Sequence, residues 1–322
     1  MVSSTSLNKR RTTVSAYLLA ALTLAASVTW AQPKLRINWV AVSGTMSGIW
    51  VAYEEGLFKK SGLDVELVHV ASSSRAIQTM LAGEIAFSTF DVTNLVQANL
   101  KGAELVLLAG ITNRLMFSVM SLPDIKKLAD LKGKTVGITR IGSATQTVAL
   151  FALGEAGLKP GDYTLLPLTE VPSILAALTA GQIDAGILSP PTNSRARKSG
   201  FNELKNLAVD GPDYPSIAFG SSRAYVKANE DVTRRVVRAY LEGVHLFKTN
   251  KALGIKTLQK YTKVQDPQVL EDTYAEFREH LESSGQISRK GLETILAEMA
   301  ANEPKAKQAK PEDFFDERFL NR

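Results

Sequence analysis

The chain contains no cysteine. That absence excludes disulfides, cysteine-ligated zinc, a thiolate nucleophile and a lipid-modified N-terminal cysteine. Histidine is nearly as scarce: His69, His245 and His280 stand apart, with none of the paired spacings that a metal site needs. No G-x-S-x-G elbow and no dinucleotide-binding glycine fingerprint occurs. Gly133-Lys134-Thr135 looks like the end of a phosphate loop, but position 128 is leucine, and the tripeptide precedes a strand-like run instead of following it. The expectation is therefore no catalytic residue, no metal ligand and no cofactor.

A strong charge excess is missing as well. The net charge is +6, and Lys9, Arg10 and Arg11 account for three of those charges, which leaves +3 on the rest of the chain. Nucleic-acid binders usually carry a strongly basic face, so nucleic acid is not expected as a partner. Beyond residue 31 no stretch is long and apolar enough to cross a membrane.

What is present starts with an address. The basic Lys9–Arg11 is followed by an apolar stretch from Val14 to Val28 and by Thr29-Trp30-Ala31, ending on a small residue. Basic head, apolar middle and small-residue exit read as a cleaved secretory signal peptide over residues 1–31. Fifteen apolar residues make a helix of about 22 Å, short of the roughly 30 Å of a hydrocarbon core, which argues against an anchor. With no lipid-bearing cysteine, the exported chain is expected free in a periplasm. The 291 residues that remain suffice for two modest domains.

Short apolar runs alternate with helix-like stretches. Strands are expected at 34–42, 63–70, 85–88, 104–108, 135–138, 163–167 and 185–188, and helices at 47–60, 74–81, 143–156 and 171–180. This alternation implies mostly parallel sheets flanked by helices. Residues 81–88 (LAGEIAFS) are echoed by 179–187 (TAGQIDAGI), and Gly62-Leu63 by Gly157-Leu158, at separations of 98 and 95 residues. Two echoes in register point to one strand–helix–strand module used twice. From Asp231 onward Val232, Val236, Tyr240, Val244 and Phe247 recur at helical spacing, and the chain reads as amphipathic helices to about Ala301. The charged tail from Glu303 to Arg322 reads as a loose strap, partly disordered.

In open parallel sheets ligands sit beyond the carboxyl ends of the strands. That rule selects the loops after the strands, which are rich in small residues and hydroxyls. The candidate ligand-binding residues are Ser43, Gly44, Ser47, Ser72, Ser73, Phe90, Asp91, Asn113, Gly142, Ser143, Ala144, Glu170, Ser189 and Pro190. Helix N-termini present unpaired N–H groups and partial positive charge, so such loops bind anions without a lysine. Each loop alone reads equally well as ordinary helix capping. Trp50 and Phe219 offer an apolar wall or core packing. Arg114 and Arg140 offer anion neutralisation or surface charge. Thr145 offers a further hydroxyl.

Four segments together resemble a known family. Val51 to Val65 (VAYEEGLFKKSGLDV), Asp130 to Gly137 (DLKGKTVG), Gly142-Ser143-Ala144 and Ala177 to Ala185 (ALTAGQIDA) are similar to nitrate/sulfonate/taurine-type ABC transporter substrate-binding proteins, the SsuA/THI5-like, NMT1 group that also includes binders of thiamine-pyrimidine precursors. The resemblance runs from about Lys34 to about Thr249. It implies an α/β, two-lobed periplasmic-binding-protein type II fold, each lobe a mostly parallel sheet flanked by helices, with a helical C-terminal segment. The division it implies is lobe 1 (first part) over 32–119, lobe 2 over 120–219, and completion of lobe 1 with the C-terminal helices over 220–322. It implies a monomer that binds a small molecule and meets an ABC permease with its ATPase. A small anion is the expected ligand, with a pyrimidine or other aromatic solute as the alternative. Some relatives on this scaffold are enzymes that rely on cysteine, and this chain cannot run that chemistry. A decarboxylase-like enzyme without cysteine, and a sensing rather than a transport role, stay open.

Overall fold

Residues 35–320 are described by the computed structural model, so the expected signal peptide lies outside the described residues. The first stretch supplies β1 (Leu35–Trp39), β2 (Val65–His69), β3 (Phe87–Asp91) and β4 (Leu105–Thr112). The second supplies β5 (Ser118–Ser121), β6 (Thr135–Ile138), β7 (Thr164–Pro167), β8 (Ala185–Leu188) and β9 (Asn202–Asn206), and β10 (Ile217–Ser222) follows. They form two five-stranded sheets, ordered β2-β1-β3-β10-β4 and β7-β6-β8-β5-β9. In the first sheet β10 runs antiparallel to both neighbours, and in the second β5 does. The other four strands of each sheet therefore share one direction. In each sheet the reversed strand is the one on which the chain arrives from the other.

Helices fill the crossovers. α1 (Ser47–Glu54) and α2 (Leu57–Lys60) join β1 to β2, α3 (Ser73–Leu81) joins β2 to β3, and α4 (Val92–Leu100) joins β3 to β4. In the second lobe α5 (Ala144–Glu155), α6 (Val171–Thr179) and α7 (Thr192–Lys198) take the matching places, and the short α8 (Leu207–Asp210) follows β9. The repeated module is thus real: both sheets follow one order, and the echoed glycines Gly62, Gly157, Gly83 and Gly181 all have positive φ. That conformation ends a helix at little cost only for glycine. The single helix expected over 47–60 is two helices, because Gly56 adopts φ +65° between them.

α9 (Arg223–Ala228), α10 (Glu230–Thr249), α11 (Lys251–Thr262), α12 (Pro267–His280) and α13 (Arg289–Met299) complete the described helices. The apolar stripe of α10 buries Val236, Tyr240, Val244 and Phe247, chiefly against α1. The approach is close because two glycines face each other: a Cβ on Gly243 would lie 2.2 Å from the carbonyl oxygen of Gly48. The strap expected to be loose is instead anchored. Ala306, Phe314 and Phe319 are buried, the amide of Leu107 donates to the oxygen of Phe314 (2.8 Å), and the amide of Asp316 donates to the oxygen of Leu107 (2.9 Å). The tail covers the edge of β4, which would otherwise offer unpaired backbone groups. Among the described residues no helix is long and apolar enough to cross a membrane.

The two segments that pass between the sheets, 113–117 and 207–216, are bonded to each other. The amide of Tyr214 donates to the oxygen of Asn113 (3.0 Å) and the amide of Leu207 to that of Phe117 (2.9 Å).

Candidate functional site

The carboxyl ends of β1, β2, β6, β7 and β8 meet where the lobes face each other. Between them lies a cavity lined by Val40–Ser43, Thr45, Ser72, Ser73, Phe117, Thr139, Ser143–Thr145, Thr169–Val171, Ser189 and Ile217. Its volume is ≈ 50 Å³ for the centres of water-sized molecules, room for a few waters at about 10–15 Å³ each. The lobes touch around it. Ser43 Oγ donates to the oxygen of Pro190 (3.2 Å), and the amide of Gly44 reaches the same oxygen at 3.4 Å.

Four helix starts converge on this cavity. The 3-10 turn Gly44–Met46, capped by Ser43, and α3, which starts after Ser72, come from the first lobe; α5, which starts after Ser143, and α6, which starts after Glu170, come from the second. Such ends carry unpaired N–H groups and partial positive charge. Among the described residues the lining has no lysine and no arginine, and its one ionisable side chain is Glu170. Hydroxyls dominate. Those at the start of α5 hold one another: Thr139 Oγ1 donates to Ser143 Oγ (3.0 Å), Ser143 Oγ lies 2.9 Å from Thr145 Oγ1, and the amide of Thr139 donates to Thr145 Oγ1 (2.8 Å). Ser72 Oγ pairs with Ser74 Oγ (2.9 Å), and Ser73 Oγ accepts from the amide of Asp91 (2.8 Å). Ser189 Oγ is different: it lines the cavity, is buried, and has no hydrogen-bond partner among the described residues.

Of the fourteen candidates, the cavity gathers Ser43, Ser72, Ser73, Ser143, Ala144, Glu170 and Ser189. The other seven lie elsewhere. Gly44 packs under the ring of Phe277, where a Cβ would come within 2.1 Å of Cδ2. Ser47 is buried in the first lobe, and its hydroxyl has no partner among the described residues. Phe90 is core, because β3 runs through Asp91 and is covered on both faces, which buries both side chains. Asp91 caps α4, accepting from the amide of Asn94 (3.0 Å), and burial pushes its carboxyl up to about 7. Asn113 braces the passage between lobes: its Nδ2 donates to the oxygen of Gln286 (3.2 Å), and its Oδ1 accepts from the amide of Ser288 (3.0 Å). Gly142 faces a second cavity, and Pro190 contributes only its carbonyl, toward the first lobe.

Trp50 and Phe219 are fully buried core. Arg114 donates to the oxygen of Gly211 (3.1 Å), and Arg140 is half-buried outside the lining. Thr139 and Thr169 went unread because they follow the last residues of strands rather than lying in the recognisable hydroxyl loops. Phe117 ends the first passage between lobes and Ile217 opens β10, and neither segment carries a periodic pattern.

A family model described as NMT1/THI5 like matches residues 44–251. A relative from Brucella abortus (strain 2308), provisionally named a binding protein, is 29% identical over 264 residues, 80% of this chain and 80% of its own. A formylaminopyrimidine-binding protein of Halalkalibacterium halodurans is 27% identical over 204 residues, 61% of this chain and 60% of its own. The solved structure of the alkanesulfonate-binding protein SsuA from Xanthomonas axonopodis pv. citri, bound to MOPS, superposes with a TM-score of 0.73 at 22% identity, covering 87% of this chain and 96% of that one. The likeness identifies the architecture as the periplasmic binding protein fold.

Proposed function

This chain belongs to the NMT1/THI5-like family, and we propose that it is the solute-binding component of an ABC importer, which captures a small organic or inorganic anion of the sulfonate, nitrate or carboxylate class between its lobes. The observation that carries this reading is the convergence of four helix starts, two from each lobe, on one cavity without a basic side chain. Backbone N–H groups and hydroxyls then supply the donors, and the dipoles of α3, α5 and α6 supply the charge complementarity. Ser189 Oγ stands ready as one such donor. A site built from both lobes couples capture to closure, because the ligand bonds to each. In this reading the mature chain is a periplasmic monomer, its partners are a permease and its ATPase, and it performs no chemistry on the solute.

One observation favours a second reading. Glu170 places a carboxylate on the lining, an acceptor suited to ring or amine N–H groups, and the formylaminopyrimidine-binding relative fits such a ligand. Calorimetry on the purified mature chain with sulfonates, nitrate, carboxylates and pyrimidines separates the two. Stoichiometric anion binding without turnover is expected. Tight binding of a pyrimidine alone would replace the anion with a heterocycle, and product formation from any of them would overturn the binding-protein reading.

A further inference from the structure

The two passages between the lobes join β4 to β5 and β9 to β10. In the orders β2-β1-β3-β10-β4 and β7-β6-β8-β5-β9 these strands stand together on one side of each sheet. The opposite edges are β2 and β7, farthest from the passages. A rotation of the lobes about the passages therefore separates the ends of β2 and β7 most. Those ends meet in this structure. His69 is the last residue of β2. Beyond Pro167 the chain still follows β6, because the amides of Leu168 and Thr169 donate to the oxygens of Ile138 and Thr139 (2.8 Å each), and Glu170 comes next. His69 Nδ1 lies 3.8 Å from Glu170 Oε1.

The imidazole is aimed by its own lobe. It stacks on Trp39, and Trp39 meets Trp50 and Tyr261 edge-on, with centroids 5.2 and 5.9 Å away. The next amide, that of Val70, donates to Oδ1 of the buried Asn38 (2.7 Å). None of these contacts crosses the cleft, so they persist when the lobes part. What closure adds is the carboxylate of Glu170. The two side chains are 28% and 35% exposed, so the imidazole exchanges its proton with solvent while the mouth is shut.

Of the charged groups around it, Glu170 is the one that acts on the imidazole. On the adjoining strands Glu66 is bonded to Arg36, and beyond Trp39 the carboxylate of Glu54 on α1 is bonded to Lys260 and Tyr261 of α11. Burial holds His69 below 6.5, and Glu170 raises it. The closed form therefore takes the proton more readily than the open form, and a form that takes it more readily gains population as pH falls.

We propose that His69 and Glu170 form a proton-operated latch across the mouth of the cleft, which holds the lobes together when His69 is charged and releases them when it is neutral. The inference needs the lobes to move about the two passages, and it needs no particular ligand between them.

The chain has no cysteine, so Lys60→Cys and Lys159→Cys, both exposed and on different lobes, carry spin labels at unique positions. Their separation, read by pulsed electron paramagnetic resonance on the ligand-free mature chain, reports closure. Between about pH 7.5 and about pH 5 the closed-to-open ratio should rise about two- to fivefold more in the wild type than in His69→Gln, the worth of a partly exposed ion pair. The comparison with His69→Gln matters because Glu276 on α12, pushed up to about 7 and acted on by Arg197 and Glu203 of the second lobe, titrates in the same range. Lys198 and Asp266 also pair between the lobes, but Asp266 is held below its ordinary value and keeps its charge. Glu170→Gln should lose the extra rise as well. His69→Lys, charged throughout, should show the raised ratio already at about pH 7.5, which keeps the test open if loss of the imidazole disturbs the packing on Trp39. No difference between the wild type and His69→Gln, a difference of the opposite sign, or a full response in Glu170→Gln would each overturn the proposal.

Discussion

His69 Nδ1 lies 3.8 Å from Glu170 Oε1, and the two belong to different lobes. His69 ends β2, while Glu170 immediately precedes α6 and lines the cleft. The imidazole also stacks on Trp39, with centroids 3.9 Å apart and planes 14° from parallel. Burial holds the imidazole below its usual value of 6.5, and the charge of Glu170 works in the opposite direction without overcoming it. Folding therefore favours the neutral ring. Its contribution is complete above the unfolded value of 6.5 and is lost as pH falls toward the lowered folded value. Urea denaturation at about pH 7.5 and about pH 5.5 should show the wild type losing stability relative to His69→Gln on acidification. A pH-independent difference between the two would refute the assignment.

Asp91 has the opposite sign. Its carboxyl rises from 3.8 to about 7, because burial opposes the charge more than the amides of Asn94 and Thr93 support it. The folded chain then holds a proton that the unfolded chain has released, so stability falls as pH rises from 3.8 toward about 7. Asn keeps an oxygen for the amide of Asn94 and removes the charge. Asp91→Asn should therefore gain stability over the wild type as pH rises from about 5 to about 8, by up to a few kcal/mol, read by chemical denaturation at both pH values.

How much of this was legible follows from which patterns are local. β6 and β8 fall where the apolar runs put them, and the echoed Ala-Gly pairs marked the duplicated module because a positive φ after a helix is a local demand. The reversed strands β5 (SVMS) and β10 (IAFGSS) left no alternation to read. They are strands because partners far along the chain complete their hydrogen bonds. The hydroxyl loops announced half of the cleft. Asp91 misled for an instructive reason: a polar residue after a strand suggests a loop, whereas here it is a buried cap whose cost is offset by the helix it starts. The tail misled through its charge, since burial of Ala306, Phe314 and Phe319 suffices to hold it.

The contact between α1 and α10 gives a stability prediction independent of any ligand. A methyl on Gly243 would meet Gly48 O at 2.2 Å, Ala52 N at 2.8 Å and Ala52 Cβ at 2.9 Å. Two of these atoms are backbone, so relief requires the helices to separate. Gly243→Ala should destabilise the chain by about 1–3 kcal/mol in spite of the better helix propensity of alanine. Urea midpoints decide this, and a stabilised variant would show that the helices pack less closely than described.

Ser143→Asp tests the anion reading of the cleft most directly. Ser143 is 3% exposed, stands at the N-cap position of α5 and lines the cavity. Aspartate is as good an N-cap as serine, and its charge suits a helix start. Thr139 Oγ1 and Thr145 Oγ1, which lie 3.0 and 2.9 Å from the present hydroxyl, can donate to a carboxylate. The present hydroxyl also donates to the oxygen of Arg140 (2.7 Å), a bond that a carboxylate cannot make, so the variant should fold with some loss of stability. An anionic ligand would then meet a fixed negative charge at about 4 Å, a repulsion of several kcal/mol at an effective dielectric of about 20. Calorimetry at a temperature where circular dichroism shows the variant folded should register a loss of about a hundredfold or more in anion affinity. A ligand that depends on donating to Glu170 would respond differently: its affinity should survive Ser143→Asp and fall with Glu170→Gln. The pair of variants thus distinguishes the two chemistries of the cleft by which lining residue each depends on.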